Sequence, residues 1–367
     1  MNILIQRPRS FASKALLWTL TAKCTCLTLI LFLYAGGLQL LRAQQTNGAY
    51  HIQIITNNPP IKSIRGLSVV DDNVVWVSGT GGMVGRSING GDSWEWHQVK
   101  GCDSCDWRSL YAFNDRKALV LNAGEPAHLF LTEDGGQSWQ QVYFNATPGI
   151  FFDAMTFYNE KEGIAIGDPL QQHFTLLRTH DGGKTWQLDP PSISPEAITG
   201  EAIFAASGTS LIATRDNRCF ATGGTVARLH KAGKKWESLP IPIIQGQAST
   251  GVFSIAFLNA RRGIAVGGDY KNDTLRANNC LLTSDGGHTW TAPHTAPGGY
   301  KSCVTYITPQ LLITTGTSGT DISVNSGMDW KKIGEGFNCA AKARNGKRVF
   351  LAGKTIGRLE ITPSRHK

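Results

Sequence analysis

The sequence predicts an all-β chain: a single seven-bladed β-propeller of four-stranded antiparallel blades, the last closed by the N-terminal strand. Three observations carry this. An octad, Ser/Thr-x-Asp-x-Gly-x-x-Trp, stands intact at 132–139 (TEDGGQSW), 179–186 (THDGGKTW) and 283–290 (TSDGGHTW). Asn replaces Asp at 87–94 (SINGGDSW) and 323–330 (SVNSGMDW), and a sixth copy keeps only Gly233 and Trp236. Successive tryptophans lie 45, 47, 50, 54 and 40 residues apart, the repeat length of a radial array of small sheets. Finally, each end of the chain carries an incomplete set of strands, and together they make one more blade.

Residues 1–43 come first and differ in kind. Arg7, Arg9 and Lys14 precede a mostly apolar run, LTLILFLYAGGLQLL at 27–41, which ends at Leu41-Arg42-Ala43. That is the layout of a secretory signal with a small residue before the cut. An uncleaved membrane anchor is the competing reading, because 24–41 holds no charge and reaches the lower length limit of a span. Residues 44–367 form the propeller domain. YHIQIIT at 50–56 alternates as a lone strand, and six blades follow at about 62–100, 104–143, 149–188, 200–239, 249–292 and 299–333. Residues 336–361 supply three more strands without an octad. The 50–56 strand completes them and removes two exposed sheet edges. Six blades with a loose C-terminal appendage is the alternative.

Each octad sits between two short apolar stretches and reads as strand, tight turn, strand. The side chains of Asp134, Asp181 and Asp285, and of Asn89 and Asn325, accept hydrogen bonds from their own turns. The glycines supply the positive φ such turns need. Trp94, Trp139, Trp186, Trp290 and Trp330 pack large rings back into the sheets. One carboxylate per turn is too few for a calcium ion. These residues resemble the Asp-box, or bacterial neuraminidase, repeat. The resemblance implies that they close the hairpin between the third and fourth strands of a blade, away from the functional face.

Function is therefore expected on the opposite face, built from the loops between strands two and three and the loops between blades. The polar groups there include Glu125, Asp168, Asp269, Tyr270 and Lys271. A second ring is expected from the starts of the innermost strands, where Arg65, Arg108, Asp153, Glu201 and Ser302 align. Arg–carboxylate pairing that stitches blades together is one reading of these charges. A polar pocket with Arg65 and Arg108 as forked donors for an anionic or sugar-like ligand is the other.

The flanks FYNEKEGIAIGDP (157–169), FLNARRGIAVGGDY (257–270) and RSLYAFNDRKALVLNAGE (108–125), with the octads, resemble the photosystem II stability and assembly factor family and its non-photosynthetic bacterial relatives. The resemblance covers about 48–362 and implies a non-catalytic docking platform for a partner protein. The chain lacks the dense arginine cluster of the photosynthetic members. Sialidases share the repeat, but no Arg-Ile-Pro segment occurs and only two arginines reach the inferred channel, which disfavours that activity. The rival function is a polysaccharide-active hydrolase or lyase that uses Asp168 or Asp269 with Glu125.

Five of the nine net positive charges fall within residues 1–43, leaving +4 for the rest. No basic run interleaves with aromatics, so no nucleic-acid partner is expected. The histidines show no paired metal-ligand spacing, and no nucleotide-binding fingerprint occurs, so neither metal nor cofactor is expected. Cys102 and Cys105, in GCDSCDW, read as a small loop-closing disulfide, consistent with export. The expected molecule is a monomer, periplasmic, outer-surface or secreted in a Gram-negative-type bacterium. It binds a protein or glycan of the cell envelope, and meets a membrane only through an uncleaved N-terminal segment.

Overall fold

A computed structural model describes residues 49–214 and 217–362. The leader expected over 1–43 lies outside the described residues. Among the described residues, no helix is long and apolar enough to cross a membrane. Within the unit Tyr50–Glu360, the strands form seven antiparallel sheets. The first blade runs Ile64–Val69, Val75–Gly79, Met83–Ser87 and Glu95–Gln98 from its innermost strand outward. The remaining innermost strands are Trp107–Ala112, Phe152–Phe157, Leu211–Ala213, Thr250–Phe257, Cys303–Tyr306 and Cys339–Lys342.

The seventh blade takes three strands from the end of the chain and its outermost strand, Ala49–Thr56, from the beginning. Backbone bonds also tie this blade to the first. Ile64 N–H donates to Gly353 O at 3.0 Å, and Arg344 N–H to Val69 O at 3.1 Å. The alternative of six blades with an appendage is excluded.

Two elements depart from the expected pattern. The fourth blade begins at Leu211, not near 200. Glu201–Ala202 instead pairs with Gly223–Gly224, which extends the sheet of the fifth blade. The alternation in GEAIF imitates an innermost strand, but the stretch 203–210 is extra chain before the true one. The fifth blade also lacks a full fourth strand. Leu282 and Thr291 exchange both backbone bonds at 2.8 Å, and Pro293 follows. Proline removes the donor a ladder would need.

The octads do more than turn the chain. In 132–139, Gly136 N–H donates to Thr132 Oγ1 at 2.9 Å and Ser138 N–H to Asp134 Oδ1 at 3.0 Å, while Trp139 Nε1 donates to Gly136 O at 3.1 Å. The second glycine of each octad faces the preceding blade. A Cβ on Gly183 would stand 2.5 Å from Leu119 Cδ2, and one on Gly287 would stand 2.4 Å from Leu229 Cδ2. The tryptophans pack into the same seams. Trp186 packs against the cluster that joins Leu119 and Leu129 of the second blade to Met155 and Phe157 of its own, and meets Phe157 edge-on. The expected inward packing within one sheet is thus a packing between sheets.

Candidate functional site

Four of the innermost strands carry the same irregularity at the same place. The register shifts between Ile64 and Gly66, Trp107 and Ser109, Phe152 and Ala154, and Val252 and Ser254. The extra residues are Arg65, Arg108, Asp153 and Phe253. A bulge bends its strand and re-aims the side chain it carries. All four line one cavity of about 480 Å³. Close backbone approach accompanies three of the shifts: a Cβ on Gly79, Gly167 or Gly267 would meet the incoming carbonyl of Ser63, Phe151 or Gly251 at 2.0 Å or less. The glycines that end the second strands are there for that approach.

The cavity lies at the end of the blades remote from the octads. In the third blade, Phe152 pairs with Gly167 at the cavity end, whereas Gly163 pairs with Thr179 at the octad end. Its floor is the extra chain before the fourth blade. Residues 202–206 line this cavity, and Ser207–Thr209 line a second one of about 410 Å³ further along the innermost strands. Arg65 Nη1 donates to Ala206 O at 3.1 Å, and Ser207 Oγ donates to Ser302 O at 2.7 Å. The segment is thus pinned from the first and sixth blades.

The electrostatics are uneven. Arg108 Nε donates to Asp106 Oδ2 at 2.6 Å, while Arg65 has no carboxylate partner among the described residues. Burial, then Arg108 beside it, holds the Arg65 guanidinium below its usual range. Asp153 is 1% exposed, and no side chain among the described residues hydrogen-bonds its carboxyl oxygens, which only the backbone N–H groups of Ala205 and Asp168 approach. Burial and then nearby Asp168 push its carboxyl well above the usual range, against the pull of Arg108. Burial also lifts Asp168 to about 6, although Ile203 N–H donates to its Oδ1 at 2.9 Å. Such a cavity has forked donors on one side, and on the other a carboxyl that burial favours in its neutral, proton-donating form. Phe204 and Phe253 stack at 3.9 Å between centroids, and Tyr300 meets Phe253 edge-on at 4.8 Å. This aromatic wall gives no periodic signal in the sequence.

Of the residues singled out from sequence, Arg65, Arg108, Asp153, Asp168, Tyr270 and Ser302 come together in the cavity. The others lie elsewhere. Glu201 has a fully buried carboxylate that pairs with Arg228 and accepts from Thr222 Oγ1 at 2.6 Å and His230 Nε2 at 3.1 Å. Burial alone would raise its pKa, but bonds from His230 and Arg228 outweigh this and hold it at about 2. Glu125 is exposed and accepts from Gly149 N–H at 2.8 Å. Asp269 accepts from Lys271 N–H at 2.9 Å within its own turn. The carboxyls that share the cavity are therefore Asp153 and Asp168, and not Asp168 or Asp269 with Glu125. Cys102 and Cys105 are joined as a disulfide.

No protein-family model matches the sequence, and no curated protein matches it. Solved structures resemble the fold. A YCF48 bound to a D1 peptide superposes with a TM-score of 0.58 at 16% identity, covering 85% of this chain and 97% of that one. YCF48 from Cyanidioschyzon merolae gives 0.57 at 14% identity, over 87% of this chain and 100% of that one. The WD40 propeller domain of Doa1 gives 0.58 at 12% identity, over 87% and 98%. The chain is thus a seven-bladed propeller whose fold resembles the YCF48 and WD40 propellers at low sequence identity.

Proposed function

We propose that this protein is a non-catalytic binding platform that seats an anionic group of a partner protein's segment on Arg65 and Arg108. The observation that carries this reading is the set of four bulges aiming Arg65, Arg108, Asp153 and Phe253 into one cavity. A guanidinium without a carboxylate partner, in a partly desolvated wall, favours an incoming carboxylate over water. Asp153 is placed to donate from its neutral form, and the aromatic wall offers apolar cover for a side chain. The likeness to a YCF48 with a bound peptide supports a protein partner. The proposed setting is the cell envelope, supported by the apolar N-terminal segment and the disulfide.

The test is a paired peptide and glycan array probed with wild type, R65A/R108A and R65K/R108K. The platform reading expects acidic peptides to bind wild type, with at least about tenfold loss in the alanine pair. The lysine pair keeps the charge and loses the fork, so it should fall between them. Equal binding by all three folded proteins refutes the placement, and ligands confined to the glycan half refute the protein partner.

A second reading has one observation in its favour. Asp153 and Asp168 are two carboxyls in one cavity, and burial raises both, as it raises the carboxyl of a general acid. A polysaccharide hydrolase or lyase should turn over a member of a substrate panel and lose that turnover in D168N. No turnover by wild type removes this reading.

A further inference from the structure

Beside the Cys102–Cys105 loop stands a group that a disulfide leaves unexplained. His128 stands on the strand Ala127–Thr132 of the second blade, remote in sequence from the cysteines. Yet one ligand atom from each of Cys102, Cys105 and His128 lies within 4.8 Å of the other two. His128 Nδ1 is buried and has no hydrogen-bond partner among the described residues. A buried nitrogen left unpaired forfeits its hydration without compensation. Stapling the loop requires the two sulfurs and no imidazole.

The surroundings hold these three residues in place. His128 N–H donates to Asn122 Oδ1 at 2.6 Å, and its ring lies 5.2 Å from Phe144 and 6.3 Å from Phe130. On the other side, Gly82 N–H donates to Cys105 O at 2.8 Å, and Cys105 N–H donates to Cys102 O at 3.1 Å. Cys105 is buried, while Cys102 and His128 are partly exposed, so solvent reaches one side of the group.

We propose that Cys102, Cys105 and His128 form a zinc site in the reduced protein, with a fourth position left to water or to a partner. Two thiolates three positions apart plus one imidazole is a donor set suited to a borderline-soft, tetrahedral ion, and three protein ligands with one open position is a common zinc arrangement. Bonds of about 2.3 Å to sulfur place two tetrahedral sulfurs about 3.8 Å apart. The cysteine Cα atoms, 5.3 Å apart, accommodate that without moving the strands. Reduction by a dithiol passes two electrons and two protons to the sulfur–sulfur bond and leaves the dithiol as a disulfide. Zinc then displaces the two thiol protons to solvent. The loop thus has two closed states, one covalent and one metal-bound, and only the second uses His128.

The test uses the full chain, reduced with a phosphine, freed of reductant without oxygen and titrated with Co²⁺ alone. The proposal expects one equivalent bound with thiolate-to-cobalt charge transfer and tetrahedral d–d bands. Zn²⁺ should displace it, and the oxidised chain should give neither band. H128A should weaken binding at least about tenfold. H128Q, which preserves bulk, should do the same and serves if H128A fails to fold. Absence of the bands from the reduced chain overturns the proposal, as does unfolding on reduction. Wild-type cobalt affinity in both histidine variants also overturns it, since the dithiol would then bind alone.

Discussion

At the scale of single residues, two carboxylates partly or wholly withdrawn from water behave oppositely, and their partners decide which way. Glu201 is surrounded by donors, so folding lowers its pKa from 4.5 to about 2. A lowered carboxyl contributes stability above its unfolded pKa and loses it as pH falls through the folded one. Its contribution, about 3 kcal/mol at most, should disappear between about pH 4.5 and 2. Glu201→Gln leaves Arg228 short of a countercharge and should cost about 3 kcal/mol at pH 7 in urea unfolding. A cost below about 1 kcal/mol would show the pair to be dispensable. Asp168 has one backbone donor, so burial wins and lifts it to about 6. The sign reverses: the folded state holds its proton more tightly, and stability is lost as pH rises from about 4 to 6. Asp168→Asn keeps the acceptor for Ile203 N–H and removes the charge. It should raise stability at pH 7.5 by up to about 3 kcal/mol and leave it unchanged at pH 3.5; no gain at pH 7.5 would contradict the shift.

At the scale of elements, the octad is a fastener between blades as well as a turn. Its polar half adapts when the sequence changes. Where Asp134 accepts from Ser138 Oγ, Asn325 instead donates through its amide to Asp329 Oδ2 at 2.8 Å. The exchange of Asp for Asn is matched by an exchange of donor for acceptor four residues on. The glycine half is less forgiving. Gly183 has φ +86 and faces Leu119, whereas Gly246 has φ +106 and no atom within 4 Å of an added Cβ. Gly246→Ala should therefore cost only backbone strain, about 1–2 kcal/mol. Gly183→Ala adds a clash across the seam and should cost at least about 1 kcal/mol more. Equal urea midpoints for the two variants would mean that the seam relaxes without effort.

At the scale of the whole molecule, the ring depends on a strand from the first part of the chain. Without Ala49–Thr56, the strand Ile356–Thr362 becomes an open edge with unpaired backbone groups. Such an edge invites pairing with another copy. A chain beginning after residue 56 should unfold at lower urea and form oligomers in light scattering at concentrations where the full chain does not. A truncated chain with unchanged midpoint and mass would show that the seventh blade closes without it. The segment 203–209 acts at the same scale. It crosses between blades, gives the cavity its floor and takes a hydrogen bond from Arg65.

The sequence by itself determined the architecture. Repeats of fixed length, each an incomplete sheet with an apolar face, have few ways to bury those faces, and the leftover strands at the two ends supplied the count of seven. It also placed Arg65, Arg108 and Asp153 at one depth, because charged residues at matching points of successive repeats share a ring. Only the tertiary structure decided that Glu201 stands outside that ring, since the pattern GEAIF cannot reveal that the true innermost strand starts ten residues later. The bulges, the aromatic wall of Phe204, Phe253 and Tyr300, and the meeting of His128 with Cys102 and Cys105 were likewise invisible. The bulges arise between neighbouring strands of one blade, and the other two bring together segments distant in sequence; a repeat pattern records what each blade has in common, not where its exceptions lie.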